Sequence, residues 1–198
     1  MKKFELTSEF VTNIFGTKLF RIKALVEFGN VEAGDLGGYI EKEENLDHDG
    51  DAWVSGDAWV YGDAWVSGDA QVYGDAWVSG NARVYGDAQV YGDAQVYGDA
   101  WVSGDAQVSG NARVYGDADY AYAHGFGSIN RTTTFFRLKD GGVGVRCGCF
   151  YGTLQEFRDK VQETHGETKK AKEYLMLAEL MELRFEDEED EQKNEEES

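Results

Sequence analysis

No apolar stretch of this 198-residue chain approaches the about 18 residues that a membrane span needs, so membrane insertion is not expected. The opening residues, Met1-Lys2-Lys3-Phe4-Glu5, lead into alternating polar and apolar positions rather than the apolar core of a secretion signal. A soluble cytoplasmic protein is the expectation. Cysteine occurs twice, as Cys147 and Cys149, with one glycine between. If that segment is a strand, both thiols leave one face about 6–7 Å apart, which suits a disulfide poorly. Reduced thiols are therefore expected. Basic residues are scarce: 19 Lys and Arg stand against 38 Asp and Glu, for a net charge of −19. That balance argues against direct nucleic-acid binding through neutralised phosphates. No phosphate-cradling loop or nucleophile motif appears, and no cofactor is implied.

What is present is a repeat. Glycine recurs every sixth residue from Gly50 to Gly116, twelve times without a slip, in units of Gly-Asp/Asn-Ala-X-Val-Ser/Tyr. Alanine follows each glycine by two, and valine holds the fifth place in eleven units, with Tyr120 in the twelfth. Such self-similarity marks a stacked solenoid. Side chains alternate along a strand, so Ala and Val share the inner face and X with Ser/Tyr the outer one. Gly with Asp or Asn forms the corner. Asn81 and Asn111 replace Asp in otherwise unchanged units, so the acidic position is read as corner chemistry rather than as a metal ligand.

The period, the glycine corner and the small-then-aliphatic spacing resemble the hexapeptide repeat of left-handed parallel β-helices, over about 72 residues. The resemblance implies three hexads per coil, hence about four coils, and supplies the handedness. Coils of eighteen residues sort the outer positions into columns. The first holds Trp53, Gln71, Gln89 and Gln107, beside Ser55, Tyr73, Tyr91 and Ser109. The second holds Trp59, Trp77, Gln95 and Arg113, beside Tyr61, Ser79, Tyr97 and Tyr115. The third holds Trp65, Arg83, Trp101 and Asp119. All five tryptophans thus point outward, more aromatic surface than a monomer leaves bare. Trp59, Tyr61, Trp77, Tyr97 and Tyr115, on the second face, are the candidate partner, ligand or oligomer surface.

Solenoid ends expose strand edges and need covers. Residues 1–49 read as an N-terminal β cap, with strands at Phe4-Glu5-Leu6-Thr7 and residues 18–25, and with Ile40 and Leu46 leading into Ala52 at six-residue steps. The array is assigned to 50–123. Residues 124–185 read as a hairpin, Thr132 to Leu138 with Val143 to Phe150, followed by two helices. The first helix opens on the capping box Thr153-Leu154-Gln155-Glu156 and breaks at Gly166; the second runs from about Thr168 to Phe185. Residues 186–198, with nine acids and one lysine, read as a disordered tail. The fold class is therefore mainly β, a parallel β-helix with an N-terminal β cap and a C-terminal α+β module.

The stretch from Phe20 to Tyr39, notably Val31-Glu32-Ala33-Gly34-Asp35-Leu36-Gly37-Gly38-Tyr39, resembles the lead-in of hexapeptide-repeat proteins of phages and enterobacteria. Members of that group are labelled transferases on the strength of their fold. The C-terminal module is similar to that of phage proteins carrying the same solenoid. The resemblance implies a phage or prophage protein acting in the host cytoplasm. Hexapeptide acyltransferases use a histidine near a corner, whereas residues 50–121 contain no histidine, lysine or insertion. His48 and His124 flank the array, and no catalytic residue is assigned. One carboxylate per corner is too few for Ca2+, and Cys147, Cys149 and His165 lack zinc-knuckle spacing. The leading reading is a non-catalytic phage accessory binding or assembly protein, a homo-oligomer (dimer or trimer). It would act in counter-defence, binding a host protein or sequestering a small signalling molecule. The alternatives are an acyltransferase-like enzyme and an acidic DNA mimic.

Overall fold

A computed structural model describes residues 1–126 and 131–186. Apart from Glu186, the acidic run assigned to the tail lies outside the described residues. Two compact units divide the chain, Met1–Tyr120 and Ala121–Ser198.

The first unit is a parallel β-solenoid of about four coils, as the repeat predicts. Its array consists of eleven two-residue strands, β4 (Trp53–Val54) to β14 (Arg113–Val114), one per hexad. The register is that of eighteen-residue coils: Trp53 pairs with Gln71, Trp59 with Trp77, and Trp65 with Arg83. Every Ala and Val of these strands' hexads is at most 1% exposed, so the interior is a column of small and branched aliphatics. Valine suits the short pleated strand and alanine the tight place beside the corner.

Hydrogen bonds give the solenoid a direction. N–H groups of each coil donate to carbonyls of the next, as in Trp53 N to Ala70 O at 3.0 Å and Trp59 N to Ala76 O at 2.9 Å. At the corners and strand ends these bonds leave carbonyls at the N-terminal end and N–H groups at the C-terminal end. The covers match. Lys3 Nζ donates to Gly50 O (3.1 Å) and Ala52 O (2.9 Å), and Asn45 Nδ2 to Gly62 O (3.1 Å) and Ala64 O (2.8 Å). At the other end carboxylates accept: Asp117 from Trp101 N (2.8 Å), Asp119 from Tyr115 N (2.8 Å) and Gly116 N (3.0 Å).

The N-terminal segment supplies β1 (Phe4–Thr12), β2 (Lys18–Ala24) and β3 (Leu36–Ile40). Antiparallel β1 and β2 and then β3 extend the second solenoid face into a seven-stranded sheet, with β3 parallel to the Trp59 strand. The lead-in register differs from the expected one. Ile40 pairs with Val60 and Leu46 bridges to Val66, so both sit in valine columns rather than ahead of Ala52. Leu46 lies eight residues before Val54 instead of six, the two extra positions falling in the corner that contains Asp47 and His48. The twelfth hexad also departs: Asp117–Asp119 is a 3-10 turn, so Asp119 caps the array instead of continuing the third column. Trp53 is the exception among the outward tryptophans. It is 4% exposed, with Phe28 edge-on against it at 5.4 Å.

The second unit contains a four-stranded antiparallel meander, β15 (Tyr120–Phe126), β16 (Arg131–Arg137), β17 (Val143–Cys147) and β18 (Phe150–Thr153), followed by α1 (Leu154–His165) and α2 (Lys169–Phe185). The expected second strand is split. Cys147 pairs with Phe150 across a two-residue turn in which Gly148 takes φ +60°, so the two cysteines do not share a strand face. Thr153 and Glu156 form the capping box, and Gly166 ends α1 at φ +55°. Phe135, Val145, Phe157, Tyr174 and Ala178 form the centre of this unit's core. No helix of the described residues is long and apolar enough to cross a membrane.

Candidate functional site

The seven-stranded face holds the candidate residues in parallel columns. Along each strand the order is corner carboxylate, X residue, inward valine, then Ser or Tyr, so Asp57, Trp59 and Tyr61 lie side by side. Trp59 and Trp77, one coil apart, stack with centroids at 5.1 Å and planes within 2°. Both are half-buried. The column continues toward the N-terminus with Tyr39, which pairs with Trp59 in register and is itself covered by Arg21. The guanidinium carbon of Arg21 lies 5.1 Å from the Tyr39 ring centre, with Nη1 donating to Tyr39 Oη at 2.9 Å. At the other end Gln95 and Arg113 complete the column, and Arg113 Nη1 donates to Asp93 O at 3.3 Å. A shallow depression of about 300 Å³ runs over Trp59 and Trp77, bordered by Asp57, Asp75 and Asp93 and closed by Arg113.

The tyrosine column is less continuous. Tyr97 and Tyr115 meet edge-on at 5.2 Å, but Ser79 separates Tyr61 from them. Tyr115, at the end of the array, is 63% exposed. The structure therefore groups the five candidates as two pairs and a separate Tyr61.

The third face, outside the candidate surface, carries the more exposed tryptophans. Trp65 and Trp101 are 38% and 46% exposed, more than any other tryptophan, and Arg83 lies between them in register. Its guanidinium carbon is 5.0 Å from the Trp101 ring centre. The signal was available in the Trp-Arg-Trp order of that column, an arrangement suited to cation–π stacking.

In one column the corner charge is offset by neighbouring donors. Where Asp63, Asn81, Asp99 and Asp117 stack, Lys42 Nζ reaches Asp63 at 2.7 Å and Asn81 Nδ2 donates to Asp99 Oδ1 at 2.8 Å. The hydrogen bond from Lys42 holds the Asp63 carboxyl below its ordinary range. The asparagine thus places a donor where a third carboxylate would repel.

The histidines that flank the array make local contacts. His48 stacks on Phe4 at 4.4 Å, accepts from Lys3 N at Nδ1 (3.1 Å), and points Nε2 at Glu43 Oε1 (2.7 Å). Those bonds assign its proton to Nε2. Lys2 and His48 together hold the Glu43 carboxyl below the usual range. His124 Nδ1 is 2.8 Å from Thr132 Oγ1. Among the described residues no group of three or more His, Cys, Asp and Glu is placed to hold a metal ion.

A family model described as the YdcK Beta solenoid repeat matches residues 70–86, 76–92, 88–104 and 106–118, all inside the hexad array. No curated protein matches the chain significantly.

Proposed function

We propose that this β-solenoid repeat protein is a non-catalytic binding and assembly module whose contact surface is the seven-stranded face centred on Trp59 and Trp77. The observation that carries the reading is the coplanar Trp59–Trp77 stack, half-exposed within its shallow depression. Rings held by a strand ladder are already ordered, so a partner pays little entropy to use them. Large aromatics at the centre of a patch, with charge at the rim, are the usual composition of an interface core. Tyr97 and Tyr115 extend the same face, and with Tyr61 they give room for a second copy of the chain or for a host protein.

The finer reading, a phage accessory factor that binds a host protein or sequesters a small signalling molecule in the host cytoplasm, extends the resemblance of the lead-in and C-terminal segments. Mimicry of DNA fits less well, because Lys42 and Asn81 interrupt the regular row of negative charge that it needs. An acyltransferase role rests on the fold alone. The test is native mass spectrometry of the full chain purified from infected bacteria, beside a variant carrying Trp59→Ser and Trp77→Ser. The expected outcome is a retained partner, ligand or oligomer that the variant loses while its circular dichroism is unchanged. A variant with the same mass and the same retained species sinks the proposal.

A further inference from the structure

The second unit carries a cavity of about 330 Å³ whose lining differs in character from the rest of the molecule. Phe150, Phe157 and Val161 provide apolar walls, while Arg131, Lys160 and His165 bring basic groups. No described carboxylate lines it, in a chain whose net charge is −19. Lys160 Nζ is held by Glu163 at 2.7 Å, so Arg131 is the principal cation of the site.

That arginine packs against a glycine turn. In the turn joining β17 to β18, Gly148 takes φ +60°, and a Cβ there would overlap Arg131 Nη1. The left-handed turn calls for glycine at 148, and the guanidinium lies over it in this arrangement. The floor is polar yet internally matched. Thr133 Oγ1 donates to Cys147 Sγ at 3.2 Å, Cys147 Sγ to Tyr174 Oη at 3.9 Å, and Tyr174 Oη to Phe126 O at 3.3 Å. Burial, with Cys147 alongside, pushes the Tyr174 phenol up to about 12, so it adds no negative charge to the cavity at neutral pH.

We propose that this cavity binds a small amphiphilic anion, an aryl or short acyl body lying against Phe150, Phe157 and Val161 with its carboxylate on the Arg131 guanidinium. A planar guanidinium takes a carboxylate through two parallel hydrogen bonds, which a lysine in its place does not reproduce. A mostly apolar cavity of this size lies at the small end of the range that takes drug-sized ligands. This site stands on residues of the second unit alone and does not depend on the solenoid surface.

The experiment is a fluorescence titration of the full chain with two probes of similar shape, anionic anilinonaphthalene sulfonate and neutral N-phenylnaphthylamine. The wild type is expected to bind both saturably, and benzoate should displace the anionic probe. Arg131→Gln should weaken the anionic probe by about tenfold and the neutral one by less than about twofold, the size of one charge-assisted contact. Arg131→Lys should restore part of the loss. Val161→Trp, which fills the cavity, should abolish both, and circular dichroism checks that each variant folds. Equal weakening of the two probes by Arg131→Gln, or an anionic titration that Arg131→Gln leaves unchanged, overturns the proposal. Persistence of both probes in a folded Val161→Trp variant overturns it as well.

Discussion

Lys3 Nζ donates to the carbonyl oxygen of Ala52 at 2.9 Å, capping an acceptor that no earlier coil reaches. The same ammonium reaches Gly50 O and lies 4.7 Å from the centre of the Phe28 ring. A cation is the right cover for an end of the solenoid that presents carbonyls, as Asp117 and Asp119 are for the end that presents N–H groups.

Replacing Lys3 by Met should therefore destabilise the protein. The apolar stem is kept, but the buried Ala52 carbonyl and the partly exposed Gly50 carbonyl lose their donor, at a cost of about 1–3 kcal/mol. The urea midpoint measures it. Burial lowers the Lys3 pKa from its ordinary value of 10.5 despite the nearby aspartates. In the pH range between the lowered value and 10.5 the unfolded chain binds more protons than the folded one, so Lys3 makes stability rise with pH. The variant should lack that rise. A midpoint within error of wild type would show that water covers these carbonyls equally well.

Two glycines that are equivalent in the repeat should respond differently to alanine. Gly80 has φ +68°, and a Cβ there would lie 2.9 Å from Gly98 N in the next coil. Gly116 has φ −148°, with nothing within 4 Å of a Cβ. Gly80→Ala combines a left-handed penalty of roughly 1–2 kcal/mol with a clash against backbone. Gly116→Ala should fall within about 0.5 kcal/mol of wild type, as surface changes do. Thermal unfolding of the two variants side by side gives the comparison, and equal losses would mean that the twelfth hexad is a true corner.

Asn81→Asp should expose the reason for that asparagine. The change removes the amide that donates to Asp99 and sets a carboxylate within hydrogen-bond distance of another. Both corners are exposed, so repulsion should cost about 1 kcal/mol or less. The loss should grow as ionic strength falls, because exposed charges are screened by salt. A loss that does not change with salt would indicate corner geometry instead.

The six-residue period carried most of the fold, because one inward and one outward residue per strand is a local rule that repeats without exception from Ala52 to Val114. The first two outer columns followed directly. The ends were not readable in the same way. Lys3 meets Ala52 across 49 residues and Phe28 covers Trp53 across 25, single contacts that no period announces. The two extra residues before Val54 shift Ile40 and Leu46 by one column without changing their apolar character. In the second unit, Cys147, Cys149 and His165 lack the spacing of a zinc knuckle. They do line one cavity, but the arginine and the glycine that define its character lie apart in sequence.

Tyr174 makes alkaline stability a probe of the second unit. Desolvation is the main cause of its rise from 10.0 to about 12, with Cys147 adding to it. Above pH 10 the unfolded chain gives up this proton while the folded chain keeps it. The unfolded state is then favoured by mass action, and stability falls as pH climbs from about 10 to about 12. Tyr174→Phe removes the titrating group, so its alkaline loss should be shallower than that of wild type. The variant also gives up the hydrogen bond to Phe126 O, so at neutral pH it should be less stable by about 1 kcal/mol. The two effects have opposite signs, and the stability curves of wild type and variant should converge as pH rises. Denaturant titrations at pH 7, 9 and 11 measure the convergence, with tyrosinate absorbance reporting ionisation. Curves that stay parallel would place the phenol in contact with solvent.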